Sequence, residues 1–249
     1  MDTQEVLQKC KVEGNVVKLP DVQLERKAYM DVKKSLEGIG GKWKGGKVAG
    51  FVFQEDEDPT SLLSEVAGGK KINLKKDYQF FATPAELAAK LVEYACIREG
   101  HSILEPSAGQ GVIIDAINDA LPITRVDCYE LMPTNRNVLK NKMMANLIGD
   151  DFLKSDPKVK YDRIVANPPF TRDADIDHIR AMYKRLTPNG RLVTIASNSW
   201  RIGERKKTAA FRQWLNDLGA FVEPIPMGSF KESGTMVGGV IIIIDKDEE

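Results

Sequence analysis

Tyr161-Asp162-Arg163-Ile164-Val165-Ala166 runs directly into Asn167-Pro168-Pro169-Phe170. The six leading residues read as an apolar strand, and the tetrad opens the polar loop behind it. An asparagine followed by two prolines at the carboxyl end of a strand presents its side-chain carbonyl and neighbouring main-chain carbonyls in a stiff arrangement. Phe170 adds an aromatic face. Such a group suits a flat, amino-bearing ligand, but Asn-Pro is equally a common turn dipeptide, and the tetrad alone does not choose between the two.

Outward from this strand, everything from Asp77 onward alternates helices with apolar strands. A helix is expected over Pro84 to Arg98, with Thr83 as N-cap, Pro84 in the first turn and Glu86 three residues after the cap. Strands follow at Ser102 to Glu105 and Arg125 to Glu130, with helices at about 110–120 and 134–146. After Tyr161 to Ala166 come a helix at about 174–186, a turn at Pro188-Asn189-Gly190, the strand Arg191 to Ala196 and a helix at about 204–218. The final strands, about 220–226 and 236–244, have no helix between them and are expected to pair as an antiparallel hairpin. The alternation implies an α/β fold: a mainly parallel sheet covered on both faces, with ligands at the carboxyl ends of its strands.

Residues 1–76 are different in pattern and read as a small α+β domain. Leu24, Ala28, Val32, Leu36 and Ile39 recur at helical spacing, so Val22 to Ile39 is expected as an amphipathic helix ended by Gly38, Gly40 and Gly41. Trp43 and the strand Val48 to Gln54 suggest a hairpin beneath it, and a short helix is expected at about 60–67. A basic linker containing Lys70-Lys71 and Lys75-Lys76 leads to residues 77–249. Lys33, Lys34, Lys42, Lys44 and Lys47 around Trp43 could meet nucleic acid, since cations neutralise phosphate and an indole stacks on bases. Glu25, Asp31 and Glu37 interrupt that charge, and ordinary solvated lysines around a Trp43 core anchor explain the same pattern.

Composition bounds the function. Among 249 residues, 36 Lys and Arg balance 36 Asp and Glu, so nucleic-acid contact has to come from local patches. The longest apolar run, Val240 to Ile244, is too short to span a bilayer, and no basic amino-terminal leader precedes an apolar segment. A soluble, cytoplasmic protein is expected. Cys10, Cys96 and Cys128 form no CxxC pair, and His101 and His178 have no metal-ligand spacing, so neither a disulfide framework nor a metal enzyme is expected.

The turn Glu105-Pro106-Ser107-Ala108-Gly109-Gln110-Gly111 lies between a strand and a helix, where small residues allow a ligand close to the backbone. Glu130 ends the next strand about 20 residues later, where an acid can accept hydrogen bonds from ribose hydroxyls. Asp151-Phe152 ends another strand, placed to meet an adenine amino group and cover its ring. A structural cap and a core phenyl are the alternatives for Glu130 and Phe152. Glu105 suits the positive end of a cofactor and would repel a pyrophosphate, which favours S-adenosylmethionine over a dinucleotide.

The order Phe81-Ala82-Thr83-Pro84, Glu105-Pro106 to Gly111, Glu130, Asp151-Phe152, Asn167 to Phe170 and Leu186 to Val193 resembles the class I S-adenosylmethionine-dependent methyltransferases. Within them it is most similar to the gamma-type N6-adenine DNA methyltransferases, over roughly residues 78–244. The resemblance implies a Rossmann-like seven-stranded sheet and a cofactor site of Phe81, Thr83, Glu105, Pro106, Ser107, Gly109, Gly111, Glu130, Leu131, Asp151 and Phe152. It implies Asn167, Pro168, Pro169 and Phe170 as catalytic residues and Phe230, in Gly228-Ser229-Phe230, as a second aromatic beside the target base. A hairpin core position is the alternative for Phe230. Arg201, Lys206 and Lys207, with Arg205 and Arg212, cluster after Asn198-Ser199-Trp200 and could hold phosphates; charged helix surface is the alternative. Asp173, Asp175 and Asp177 lie in a loop expected to be mobile before substrate arrives.

The tetrad's chemistry follows from the acceptor. An exocyclic adenine amine is a poor nucleophile because its lone pair is delocalised; accepting both N–H bonds on the Asn167 oxygen and the Pro168 carbonyl favours a pyramidal nitrogen. Phe170 would stack on the flipped base. Tetrads of this type also occur in enzymes acting on RNA bases and protein glutamine, so an RNA-base or protein-glutamine N-methyltransferase remains the alternative to DNA, with a noncatalytic module of the same fold behind both. Nothing after Ile244 is expected to form a target-recognition domain, which leaves the Trp43 region, or a short or loosely defined site, to account for DNA contact. A restriction-modification setting fits the resemblance.

Overall fold

Asp2 caps the first helix, α1 (Thr3–Gln8), through a reciprocal box in which its side chain accepts from the Glu5 N–H and Glu5 accepts from the Asp2 N–H. The computed structural model describes residues 1–53, 58–74, 82–122, 124–231 and 238–248. The chain divides into two compact units, Met1–Phe80 and Phe81–Glu249. In the first, α1 is followed by β1 (Lys11–Glu13), β2 (Val16–Lys18), α2 (Arg26–Gly38), β3 (Lys42–Lys44), β4 (Gly50–Val52) and α3 (Thr60–Ala67). The strands form an antiparallel sheet in the order β1-β2-β4-β3. Val6, Leu7, Val32, Leu36, Phe51 and Val66 meet in one core.

Helix α2 begins four residues later than its apolar spacing suggests, because Glu25 is still extended (φ −62°, ψ 145°). The expected hairpin of β3 and β4 is present, but it is half of a larger sheet. Its other half is the antiparallel pair β1 and β2. Gln54 and the linker residues Lys75 and Lys76 lie outside the described residues.

The second unit contains α4 (Ala85–Ala95), β5 (Ile103–Glu105), α5 (Val112–Ala120), β6 (Val126–Tyr129), α6 (Pro133–Lys140), β7 (Ala145–Gly149), β8 (Tyr161–Ala166), α7 (Ala174–Lys184), β9 (Leu186–Ser197), α8 (Ser199–Ile202), α9 (Lys206–Asp217), β10 (Phe221–Ile225) and β11 (Gly239–Asp245). Its seven-stranded sheet has the order β10-β11-β9-β8-β5-β6-β7. β5 to β9 are mutually parallel, and β11 is antiparallel to both β9 and β10, giving the expected carboxyl-terminal hairpin. Period-two alternation feeds the two faces. Val165, Val193 and Ile241 pack toward Leu91, Ile113 and Ile117, while Ile164, Leu192 and Ile242 pack toward Ile179, Met182 and Phe211.

Three local expectations are corrected. Helix α4 has Pro84, not Thr83, at the N-cap position, and no side chain caps it. Helix α6 stops at Lys140; the Lys142 N–H bonds to Leu139 and Ala145 to Lys142, and these tight turns release Ala145–Gly149 to form β7 beside β6. Pro188-Asn189-Gly190 does not precede β9 but bulges it: the register against β8 jumps from Tyr161–Leu186 to Arg163–Arg191, with Asn189 at φ 59°.

Chain order creates the site. From β5 the chain builds β6 and β7 on one side and then returns to β8 on the other. The crevice between the carboxyl ends of β5 and β8 is the topological switch point, the usual ligand position in such sheets.

Candidate active site

Gly109 (φ 55°) and Gly111 (φ 80°) turn the chain between β5 and α5 in a left-handed conformation that side chains disfavour. The turn is pinned to the next strand. The Ala108 N–H donates to the Tyr129 carbonyl at 2.9 Å, and the Gly109 N–H donates to Glu130 Oε2 at 2.7 Å. Glu130 Oε1 accepts the Met132 N–H at 2.7 Å, so the carboxylate is braced from both sides. Burial raises its pKa, and these two N–H donors oppose the rise. Leu131, beside it, is exposed.

Glu105 is 2% exposed, and its Oε2 has no hydrogen-bond partner. Its carboxyl accepts from the Ile114 main chain in the first turn of α5. Burial, then the neighbouring Glu130 and Asp115 charges, hold its pKa well above the usual carboxylate range. A buried acid with one bare oxygen is a candidate partner for a cation. Pro106 is buried and Ser107 half-buried in the same turn.

At the end of β8, Pro168 is buried and Asn167, Pro169 and Phe170 are half-buried. The Asn167 Nδ2 donates to Thr83 Oγ1 at 3.1 Å, while Asn167 Oδ1 is buried without a partner. With the amide assigned this way round, the acceptor end is left bare. Phe230 is 3% exposed in the turn after β10, and Phe170 packs against the same core cluster that holds it. Phe81 lies outside the described residues.

Asp151 and Phe152 are committed to local structure. Asp151 accepts the Leu153 N–H at 3.1 Å and pairs with Lys154 at 2.9 Å, and the Lys154 bond chiefly lowers its pKa. Phe152 is core, edge-on to Tyr129 with ring centroids 5.6 Å apart and stacked on His178 at 6.2 Å.

The loop after the tetrad, expected to be mobile before substrate arrives, makes several side-chain contacts in this structure. Arg172 and Asp173 both have positive φ, 56° and 61°. Buried Asp173 accepts from Arg205 at 2.8 Å, and Lys207 donates to the Asp173 carbonyl at 3.1 Å and to Asp177 at 2.7 Å. Fully buried Asp175 accepts the N–H groups of Ser197 and Ile176 at 2.9 and 3.1 Å. Lys207 and Arg205 are thus engaged within the fold. Arg212 donates to the Trp200 and Gly203 carbonyls, whereas Arg201 and Lys206 are exposed. Trp43 belongs to the other unit, edge-on to Phe51 at 5.2 Å and 42% exposed. Sequence reasoning missed the joint use of Thr83 and Asn167, 84 positions apart, and the anchoring roles of Asp173 and Asp175. Neither follows from local spacing.

Among the described residues, no helix is long and apolar enough to cross a membrane, and no group of three or more His, Cys, Asp and Glu could hold a metal ion.

Comparison with known proteins agrees with this architecture. The chain is 31% identical over 111 residues to the type II methyltransferase M.HincII of Haemophilus influenzae, a match covering 45% of this chain and 20% of that relative. The chain therefore spans about a fifth of that relative's length. Its fold is like that of the type I restriction-modification system methyltransferase subunit of Streptococcus thermophilus (TM-score 0.57, 15% identity, 79% of this chain and 52% of that one). It is also like a Listeria monocytogenes chain assigned to the class I S-adenosylmethionine-dependent methyltransferases (TM-score 0.54, 14% identity, 99% and 79%). The methyltransferase small domain family matches residues 87–214, more than half of the chain, on the elements that carry the glycine turn, Glu130 and the tetrad: the chain belongs to that family.

Proposed function

We propose that this methyltransferase uses S-adenosylmethionine to methylate the N6 amino group of adenine in DNA, after the base has left the helix. The observation that carries the reading is the bare, buried Oδ1 of Asn167 at the carboxyl end of β8, with its amide nitrogen already occupied by Thr83. An acceptor without a donor is what an incoming amine can satisfy, and leaving it unsatisfied costs about 1–3 kcal/mol.

The residues at the switch point fit the cofactor. Gly109 and Gly111 keep side chains off the turn, Glu130 ends the adjacent strand, and Glu105 offers an unpartnered carboxyl oxygen for positive charge. Glu105, Pro106, Ser107, Gly109, Gly111, Glu130 and Leu131 would hold it. S-adenosylmethionine, when bound, supplies an electrophilic methyl group.

In this mechanism Asn167 Oδ1 and the Pro168 carbonyl accept the two amine N–H bonds, favouring a pyramidal nitrogen with its lone pair exposed. Pro168 and Pro169 stiffen the backbone that carries the Pro168 carbonyl. Phe170 and Phe230 flank the base. Methylation makes the nitrogen acidic, so its proton leaves along one of the accepted N–H bonds without a strong general base. Arg201 and Lys206 contact backbone phosphates, whereas Lys207 holds the loop after the tetrad. On this reading residues 77–249 carry the chemistry and residues 1–76, through Trp43, add DNA contacts.

The experiment is to incubate the protein with labelled cofactor and, separately, duplex DNA, single-stranded DNA, RNA and protein, and then identify the modified product. N6-methyladenine in DNA supports the proposal. Label confined to RNA bases or to glutamine moves the same clamp to another polymer, and absence of transfer to every acceptor points to a noncatalytic module.

A further inference from the structure

We infer that Thr83 is a positioning residue for Asn167: its hydroxyl, hydrogen-bonded to the side-chain amide, holds that side chain in place beside the amine to be methylated. The inference rests on the methyl-transfer reading of the tetrad and extends it to a residue outside the tetrad.

A carboxamide is nearly symmetric in outline. Its two ends have nearly the same shape and opposite hydrogen-bonding character, so an asparagine in an unpolarised cavity can sit either way round. Turned correctly, Asn167 offers an acceptor to a substrate N–H. Turned the other way, it points two donors at two donors, and the amine is repelled. Neither proline of the tetrad holds the side chain, because both act on the backbone.

Thr83 Oγ1 lies 3.1 Å from Asn167 Nδ2, where it accepts one amide N–H. A hydroxyl can donate as well as accept, so the contact fixes the position of the amide, and the amide faces its oxygen away from Thr83. Two local facts leave Thr83 available for this task. Pro84 occupies the N-cap position of α4 with an extended ψ of 142°, so the hydroxyl one residue earlier does not cap that helix. Pro84 also restricts Thr83 itself to extended conformations, which limits where the hydroxyl can swing. Asn167 is held at its nitrogen and bare at its oxygen, the pattern a one-sided holder produces.

A contact that only stabilised the fold, or only touched cofactor, predicts different behaviour. Thr83→Val keeps the branched shape and removes the acceptor; Thr83→Ser keeps the hydroxyl and removes a methyl. The expected result is a kcat reduced about 10- to 100-fold in Thr83→Val, with cofactor affinity within about twofold of the parent and activity largely restored in Thr83→Ser. A Thr83→Val protein with unchanged kcat, or with weakened cofactor binding as its principal defect, overturns the inference. A second readout is independent of substrate. In a 1H–15N spectrum, the Asn167 side-chain NH2, assigned by its loss in Asn167→Asp, should exchange slowly with water in the parent and in Thr83→Ser, and rapidly in Thr83→Val. Equal exchange in all three overturns the inference even if no methyl acceptor is found. Loss of the methyltransfer reading itself would appear instead as an Asn167→Ala protein as active as the parent.

Discussion

Asp175 Oδ2 accepts the main-chain N–H of Ser197 at 2.9 Å, joining the first turn of α7 to the carboxyl end of β9. This bond closes the loop that begins at the tetrad onto the neighbouring strand, and Asp175 is fully buried while making it. Asp175→Ala leaves the Ser197 and Ile176 N–H groups without that acceptor, which should cost about 1–3 kcal/mol. Denaturant melts check the loss, and an unchanged midpoint would mean that the bond contributes nothing.

Arg205 and Lys207 pair with Asp173 and Asp177, whereas Lys206 between them points to solvent. Arg172 and Asp173 hold left-handed backbone, a conformation costing about 1–3 kcal/mol each, and buried Asp173 is paired with Arg205. Arg205→Ala should reduce kcat by loosening Phe170 while leaving the salt dependence of DNA binding unchanged. Lys206→Ala should leave kcat near the parent value and shallow the salt slope by about one phosphate contact. Binding titrations at several salt concentrations, beside steady-state rates, separate the two roles.

Glu105 links stability to pH. Burial is the main cause of its raised pKa. An acid with a folded pKa above its unfolded value contributes stability fully at low pH and loses that contribution as pH rises through the folded pKa. Glu105→Gln should therefore melt higher than the parent at neutral and alkaline pH and flatten the decline in melting temperature from about pH 5 upward. The same change should weaken S-adenosylmethionine binding by about tenfold or more, about 1.4 kcal/mol, by removing the charge partner. A variant both less stable at neutral pH and equally able to bind cofactor contradicts this role.

Gly111 tests the turn. It sits at φ 80°, and a Cβ there would approach the Lys142 Cδ to 2.9 Å. It would also come within 3.0 Å of Cδ2 of buried Leu139; the lysine can move, but the leucine contact and the backbone preference, at about 1–2 kcal/mol, remain. Gly111→Ala should lower the melting temperature and weaken cofactor binding together, measurable by thermal denaturation and by calorimetry.

Much of the larger unit is legible from periodicity. Tyr161 to Ala166 reads as a strand and is one, and the uninterrupted apolar run Val240 to Ile244, all buried but half-buried Ile243, lies in β11 between β9 and β10. Errors fall where two elements compete for the same residues: Ala145 continues the helical spacing of α6 yet pairs with Val126 in β7. Pro188-Asn189-Gly190 has turn chemistry, but edge-to-edge pairing on both sides absorbs it as a bulge. In the site, residues marked by type and position at strand ends, Glu105, Glu130 and Asn167, stand out in the sequence. Thr83 reads as a helix cap because capping is a local rule, whereas its hydrogen bond to Asn167 depends on a tertiary contact. Asp173 and Asp175 read as loop acids because burial is not visible in composition.

The central claim is that Asn167 presents its oxygen to the amine that takes the methyl group. Single-turnover transfer from labelled S-adenosylmethionine to adenine-containing duplex DNA, measured for the parent and for Asn167→Ala and followed by nucleoside analysis, tests it most directly. The account predicts N6-methyladenine from the parent and a rate lowered at least about 100-fold in the variant. Equal rates in the two proteins, or label carried by any nucleoside other than N6-methyladenine, would contradict it.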